Sequence, residues 1–386
     1  MKIMHIISHF DLGGAERVAA DIASSSSEDL EYHIVEAMRG RSDFTQGFLN
    51  ELTEKGIKCH RSPIPDIRFH FIPERIAAII FPFWFLPLFL RIRPQVVHAH
   101  TELPDMCVSL FFFLFPRFLK TCRLVRTIHN NRLWTGQKRI GQMVEKFYSH
   151  HALNIAISPG VAKNYSEVYG GERPIYIYNG VNETQQKPWQ FLKKDRKNII
   201  FSGRFEPQKG IQTLIYIIKK SEEENLPLHF HIFGDGSMKA LLHDSLSQCP
   251  NITINKPVNG LASFLASFDY MIMPSQFEGL SLMAIEASMA GLPNIISGCD
   301  GLRETVPDSW PLIPKPSDSQ DLSHGASPSP SDYMPIMRQI ANDSLPNDLR
   351  IKAKTHALEH FSVSKMRKEY ERIYVSLTNE KPSQMS

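Results

Sequence analysis

Two glutamates, Glu278 and Glu286, stand in the string Phe277-Glu278-Gly279-Leu280-Ser281-Leu282-Met283-Ala284-Ile285-Glu286-Ala287, with seven residues between them. The apolar run before them, Tyr270-Met271-Ile272-Met273-Pro274-Ser275, reads as a buried strand ending in a turn. With Glu278 just before a helix and Glu286 within it, both carboxylates can reach one ligand lying across that helix end. Backbone N–H groups and the positive end of the helix dipole suit a pyrophosphate, and carboxylates accept hydrogen bonds from sugar hydroxyls. Together they describe a site for a polyhydroxylated, phosphorylated ligand. Either glutamate alone reads more readily as a solvent-facing helix residue; the whole string is what points to a site.

A second set of candidates lies upstream. The run Ile199-Ile200-Phe201-Ser202 reads as a strand delivering Gly203 and Arg204, and Lys209 follows five residues later before a helix. Fixed cations on a strand-to-helix loop offset the charge of a diphosphate and stabilise it as a leaving group. Phe230-His231-Ile232-Phe233 ends in another glycine turn at Gly234. Near the N-terminus, the strand Ile3–Ser8 runs into Gly13-Gly14-Ala15-Glu16, which reads as a tight turn with amide groups at a helix start. This is not the Gly-x-Gly-x-x-Gly fingerprint, so no nicotinamide or flavin cofactor is expected. His98 and His100 sit at i and i+2 on a strand, but no third ligand lies near them in sequence and the chain has no Asp-x-Asp. No metal site is expected.

These motifs together resemble the family 4 retaining glycosyltransferases. The resemblance rests on Gly13-Gly14-Ala15-Glu16, Val97-His98-Ala99-His100, the strand ending in His129, Asn179-Gly180-Val181-Asn182, Gly203-Arg204 to Lys209-Gly210, Gly234-Asp235-Gly236, and the Glu278-x7-Glu286 string. It is most specific from Ser202 to Lys209 and from Pro274 to Glu304. It implies the GT-B fold, in which two Rossmann-like doubly wound α/β domains face a cleft. It also implies catalytic roles for His129, Arg204, Lys209 and Glu278. Donor contacts are implied at Gly203, Arg204, Lys209, Gly234, Gly279, Leu280, Ser281 and Glu286, with Glu286 on the ribose, and an acceptor side at Gly13, Gly14 and Glu16. One departure is Asp300, which stands where the family's glycine-rich turn has a second glycine. Trp310-Pro311 likewise replaces the family's glycine before a strand at Leu312-Ile313.

The elements that must carry these residues follow from an alternation of short apolar runs with helical stretches along 386 residues, which argues for parallel sheets covered by helices. Expected domains are 1–182, acceptor-binding; 183–197, a polar linker with five Lys/Arg; 198–360, nucleotide-sugar-binding; and 361–386, a final helix crossing back to the first domain. Pro314 to Pro335 reads as loop, with Ser327-Pro328-Ser329-Pro330 its least ordered part. The five cysteines are scattered, which argues against a zinc or disulfide framework and fits a reducing compartment. The N-terminal apolar run ends within one strand length and reads as a strand, not a signal peptide.

Net charge is only +3, yet Arg61 to Lys146 holds thirteen Lys/Arg against five Asp/Glu. Within it, Ile76–Leu90 carries no charge and includes Phe81, Phe83, Trp84, Phe85 and Phe89. As a helix it is short of the ~20 residues that span a bilayer, and Pro82 and Pro87 interrupt it. Two readings stand: a helix buried in the domain, or a patch that dips into a membrane interface through 76–93 and 108–126.

The activity that the family resemblance implies is retaining transfer of a sugar from a UDP- or GDP-sugar to a lipid-linked or glycan acceptor in surface polysaccharide synthesis. No metal, other cofactor or nucleic acid takes part. The expected location is cytoplasmic, peripheral to the inner face of the membrane. The alternatives are a GT-B nucleotide-sugar epimerase or hydrolase, and a non-catalytic sugar-nucleotide-binding membrane scaffold.

Overall fold

A computed structural model describes residues 1–11, 13–24, 27, 29–65, 71–131, 133–316 and 328–379, with the side chains of residues 71 and 72 left aside. It divides into two compact units, Met1–Gly180 with Val363–Ser386, and Val181–Ser362.

The first unit alternates strands and helices: β1 (Lys2–Ile7), α1 (Gly14–Ala23), β2 (Glu31–Glu36), α2 (Thr45–Glu54), β3 (Lys58–His60), α3 (Phe71–Ile92), β4 (Val96–His100), α4 (Glu102–Leu114), β5 (Arg123–Ile128), α5 (Lys138–His151), β6 (Ala152–Ala156), α6 (Pro159–Tyr169) and β7 (Ile175–Tyr176). The seven strands are all parallel, in the order β3-β2-β1-β4-β5-β6-β7. Strands covered on both faces read as continuous apolar runs, which is why β1 and β4 lack polar alternation apart from their histidines. One core holds side chains of α1, α2 and the last helix of the chain; the other holds α3, α4 and α5. Helix starts carry the expected signals: at α6, the Ser158 hydroxyl accepts from the Val161 amide at 3.2 Å, with Pro159 in the first turn.

Arg126 on β5 is fully buried, forked onto Glu145 through two 2.7 Å hydrogen bonds, while its Nε donates to Asp105 at 2.8 Å. One guanidinium thus serves two carboxylates from α4 and α5. Glu145 keeps its charge, and desolvation pushes the Asp105 carboxyl up to about 8.

Helix α3 is longer than the uncharged run that announces it, because Glu74 and Arg91 continue it at either end. Its segment Pro73–Ile92 is long and apolar enough to cross a membrane, which the 15-residue run alone does not suggest. Only one face is built into the unit. Ala77, Phe81, Phe85 and Phe89 are buried, whereas Ile76, Ile79, Ile80, Phe83 and Leu90 are exposed, Phe83 by 67%.

The second unit continues with β8 (Lys197–Ser202), α7 (Ile211–Glu223), β9 (Leu228–Phe233), α8 (Lys239–Leu246), β10 (Ile252–Asn255), β11 (Tyr270–Met273), α9 (Leu282–Met289), β12 (Asn294–Ile296), α10 (Met334–Ala341) and α11 (Leu349–His360). Its sheet is parallel, ordered β10-β9-β8-β11-β12, over a single core. Within 183–197, Trp189 and Leu192 pack on the second core, and the Lys187 amide donates to the Ser263 carbonyl at 2.6 Å. Two expectations change in this unit. The stretch expected as loop to residue 335 already turns helical at Pro330–Tyr333 and enters α10 at Met334, started by a Ser329–Asp332 capping box. Residues 317–327, including Ser327, lie outside the described residues. Leu312-Ile313 is not a strand: the Leu312 carbonyl accepts one hydrogen bond from the Ile296 amide, at 3.1 Å, and the pairing goes no further. The last helix, α12 (Val363–Asn379), belongs to the first unit, where Met366, Tyr370 and Tyr374 are buried.

Candidate functional site

In a doubly wound sheet the strand order reverses once, and the loops leaving the two strands at that point open a crevice at their carboxyl ends. In the second unit the reversal lies between β8 and β11. The loops following these strands are the ones that carry Gly203 to Lys209 and Glu278. They are stitched together: the Gln276 amide donates to the Gln208 carbonyl at 2.8 Å, and the Gln208 side chain donates to the Phe277 carbonyl at 3.0 Å. Beside them Lys209 Nζ meets Glu278 Oε1 at 2.6 Å, an ion pair in which both side chains are mostly buried. Arg204 is exposed on the same loop. The loop after β9 joins from the other side, with the Phe205 amide donating to the Asp235 carbonyl at 2.8 Å. A Cβ on Gly234 would stand 2.0 Å from the Gly203 carbonyl oxygen, so this approach admits only glycine.

The helix starts later than expected. Leu282 is its first residue and Ser281 its N-cap, the hydroxyl accepting from the Ala284 amide at 3.4 Å. Glu278 therefore sits in the loop, 7% exposed, and Glu286 is half-buried inside α9. Leu280 and Ser281 are also buried, one in packing and one in the cap. Gly301 explains how the turn at Asp300 works without a second glycine. At φ +80 its added Cβ would fall 2.6 Å from the carbonyl oxygens of Glu278 and Gly279, while Asp300 is exposed.

In the first unit the reversal lies between β1 and β4. The loops beyond them are joined by Ser8 Oγ and Thr101 Oγ1 at 2.8 Å. Thr101 holds φ +74, a costly conformation for a β-branched residue that the sequence does not announce. Gly13 is extended, not left-handed, and caps α1, which Gly14 begins. Its lack of a side chain serves Glu16, whose carboxylate would lie 2.0 Å from a Cβ there. Glu16 is buried, and desolvation raises its pKa. The expected tight glycine turn is thus a close approach between a carboxylate and its own helix start.

A row of histidines crosses the sheet at the same end. His5 on β1 is the register partner of His98 on β4, and His129 follows β5. His5 Nδ1 lies 2.9 Å from His100 Nε2, and His100 Nδ1 lies 3.2 Å from His129 Nε2. His98 instead bonds Tyr374 and Thr127 hydroxyls, each at 2.7 Å. Burial holds His5 and His129 at about 3, and His98 and His100 well below the usual imidazole range. All four are neutral at pH 7. Sequence reading found no third ligand for His98 and His100, but strand pairing brings one, since ring nitrogens of His5, His98 and His100 lie within 4.8 Å of one another. Both His98 nitrogens are already engaged by hydroxyls, which favours a hydrogen-bonded imidazole cluster.

Residues 196–326 match the family model described as glycosyl transferases group 1, and residues 12–185 match the one described as glycosyltransferase family 4. An uncharacterized glycosyltransferase of Methanocaldococcus jannaschii is 26% identical over 235 residues, 59% of this chain; the chain spans 63% of that relative's length. A capsular polysaccharide biosynthesis glycosyltransferase of Staphylococcus aureus is 24% identical over 305 residues, 74% of this chain and 78% of the relative. Among solved structures, Anabaena HepE in complex with UDP and glucose superposes with a TM-score of 0.72 at 16% identity, over 97% of this chain and 100% of that one. At that identity the likeness is one of fold.

Proposed function

The chain belongs to the family 4 glycosyltransferases of the GT-B fold, and from that membership we propose that it moves a sugar from a UDP- or GDP-sugar to a lipid-linked or polysaccharide acceptor with retention at the anomeric carbon. The observation that carries this reading is the Lys209–Glu278 pair at the β8/β11 reversal, with Arg204 beside it. A lysine ammonium has three protons; with one given to Glu278, two remain for a diphosphate. Arg204 and Lys209 stabilise the departing nucleoside diphosphate as the bond from its β-phosphate oxygen to the anomeric carbon breaks. The acceptor oxygen bonds that carbon on the same face, and its proton passes to the diphosphate. Glu278 and His129 orient the transferred sugar, and Glu286 holds the ribose. Gly203, Gly234 and Gly279 keep backbone close to the donor, while Leu280 and Ser281 shape the loop. Gly13, Gly14 and Glu16 border the acceptor. No metal is assigned a role.

A capsular relative and a UDP-bound structural neighbour support surface glycan synthesis and a nucleotide-sugar donor. The outer face of α3 supports an acceptor presented at a membrane. A helix apolar all round belongs in a core or a bilayer, and this one fills a core with only one face. Phe113 and Leu114 of α4 are exposed as well, and so are Arg75, Arg91, Arg93, Arg117 and Lys120, which lie near these apolar residues along the chain. That is the chemistry of a peripheral contact with anionic lipid on the inner face of a membrane.

The test is transfer of labelled sugar from a panel of UDP- and GDP-sugars into a lipid or polysaccharide fraction. Arg204→Ala is expected to lower turnover about 100-fold or more, the scale of losing one transition-state charge contact. Unchanged turnover in that variant would remove the leaving-group assignment.

A further inference from the structure

From the contacts among His5, His100 and His129 we infer that His100 and His5 are positioning residues that fix His129 in a single tautomer, with Nε2 as acceptor and the proton on Nδ1. This deepens the proposed function, since it rests on His129 orienting the transferred sugar.

The three rings form a line of two hydrogen bonds, 2.9 Å from His5 Nδ1 to His100 Nε2 and 3.2 Å from His100 Nδ1 to His129 Nε2. A neutral imidazole has one N–H and one lone pair, so the protons along the line must all point the same way. If they point inward, His129 donates to His100, His100 donates to His5, and the line ends on an N–H at His5 Nε2. That atom is buried and has no hydrogen-bond partner. If they point outward, His5 donates to His100, His100 donates to His129, and only a lone pair is left unmet at the buried end. A buried N–H without an acceptor is the rarer and costlier defect, so the outward order is favoured. It leaves the proton of His129 on Nδ1, which makes that nitrogen a donor for a sugar hydroxyl oxygen.

The surroundings keep the line neutral and in place. His98 packs against His100 with ring centroids 4.1 Å apart and the rings tilted by 32°, and it is held by Tyr374 and Thr127, the latter also bonded to Tyr370 at 2.9 Å. Tyr32 and Tyr374 pack against His5. These neighbours bring hydroxyls and a neutral ring, with no carboxylate among them to draw a second proton onto the imidazoles. A neutral donor suits the task, because an imidazolium beside the anomeric centre would oppose the positive charge that develops there.

The experiment uses the full-length chain labelled with 15N-histidine, with the His129 signals identified by their loss in His129→Gln. In the wild-type protein the proton is expected on Nδ1 and the lone pair on Nε2 from pH 8 to pH 5.5. His100→Leu is expected to mix the two tautomers and to lower turnover at saturating UDP-sugar about three- to tenfold, the scale of one hydrogen bond, with KM for the donor little changed. His100→Asn, whose amide can stand where Nδ1 stands, is expected to restore most of the turnover and the single tautomer. A proton on Nε2 of His129 in the wild-type protein overturns the inference even if His100→Leu fails to fold. So does equal turnover in His100→Leu and His100→Asn with wild-type KM. A wild-type protein that binds and turns over no UDP- or GDP-sugar would refute the transferase reading instead, and the tautomer would still be decided by the spectrum.

Discussion

Removing the cation from the Lys209–Glu278 pair by Lys209→Met leaves a carboxylate 7% exposed without its ammonium. Breaking a fully buried pair costs about 3–5 kcal/mol. Here the lysine side chain keeps 18% of its surface exposed, so water reaches the site and a loss of about 2–3 kcal/mol is expected. For a unit of the size of Val181–Ser362, each kcal/mol moves the midpoint by roughly 2–4 °C, so its unfolding should fall by roughly 4–12 °C. The neutral partner, Glu278→Gln, combined with Lys209→Met removes the carboxylate charge as well. The double variant should recover much of the loss, giving a coupling of about 1.5–3 kcal/mol in a double-mutant cycle read by denaturant unfolding. A coupling within about 0.5 kcal/mol of zero would show that the two loops at the β8/β11 reversal are not joined by this pair.

Two further outcomes are expected. The buried histidines make the first unit acid-labile: His5 and His129 titrate near 3 when folded against about 6.5 when unfolded, and His98 and His100 are shifted in the same direction. Their contribution is complete above pH 6.5 and is lost as pH falls toward 3, at about 1.4 kcal/mol per pH unit for each histidine once the unfolded form is protonated. Denaturant midpoints measured from pH 7.5 to 4.5 should fall steeply, and a flat profile would contradict the buried neutral cluster. Separately, Phe83→Asp with Ile79→Asp should abolish co-sedimentation with vesicles rich in anionic phospholipid while leaving the thermal midpoint within a few degrees, because both side chains are exposed. Retained sedimentation would place the outer face of α3 away from the bilayer.

Much of the second unit's fold is legible because its candidate site residues lie in continuous strings that follow apolar strands. Gly203 to Lys209 and Glu278 to Glu286 follow apolar strands, and the sheet order puts their loops side by side. What the strings do not contain is pairing. The Lys209–Glu278 contact spans 69 positions and the His5–His100 contact spans 95, so only the parallel register brings them together. His5 looks like one polar residue in an apolar strand, and no local signal marks it as the buried end of an imidazole line. Nor does a glycine's place in the sequence show what packs against it. Gly13 is small because a carboxylate lies under it, and Gly301 because two backbone carbonyls do. The loop expected through residue 335 failed because a Ser-Pro pair that looks like a breaker is also a helix start.

If the carboxyl ends of β8 and β11 receive a nucleoside diphosphate sugar, as proposed, UDP-, GDP- or ADP-sugars stabilise the purified protein against heat, with Glu286→Ala as the control. One nucleotide class is expected to raise the midpoint, by an increment that grows with ligand concentration, and Glu286→Ala is expected to lose the shift. No shift with any donor, or an equal shift in the variant, would contradict that proposal.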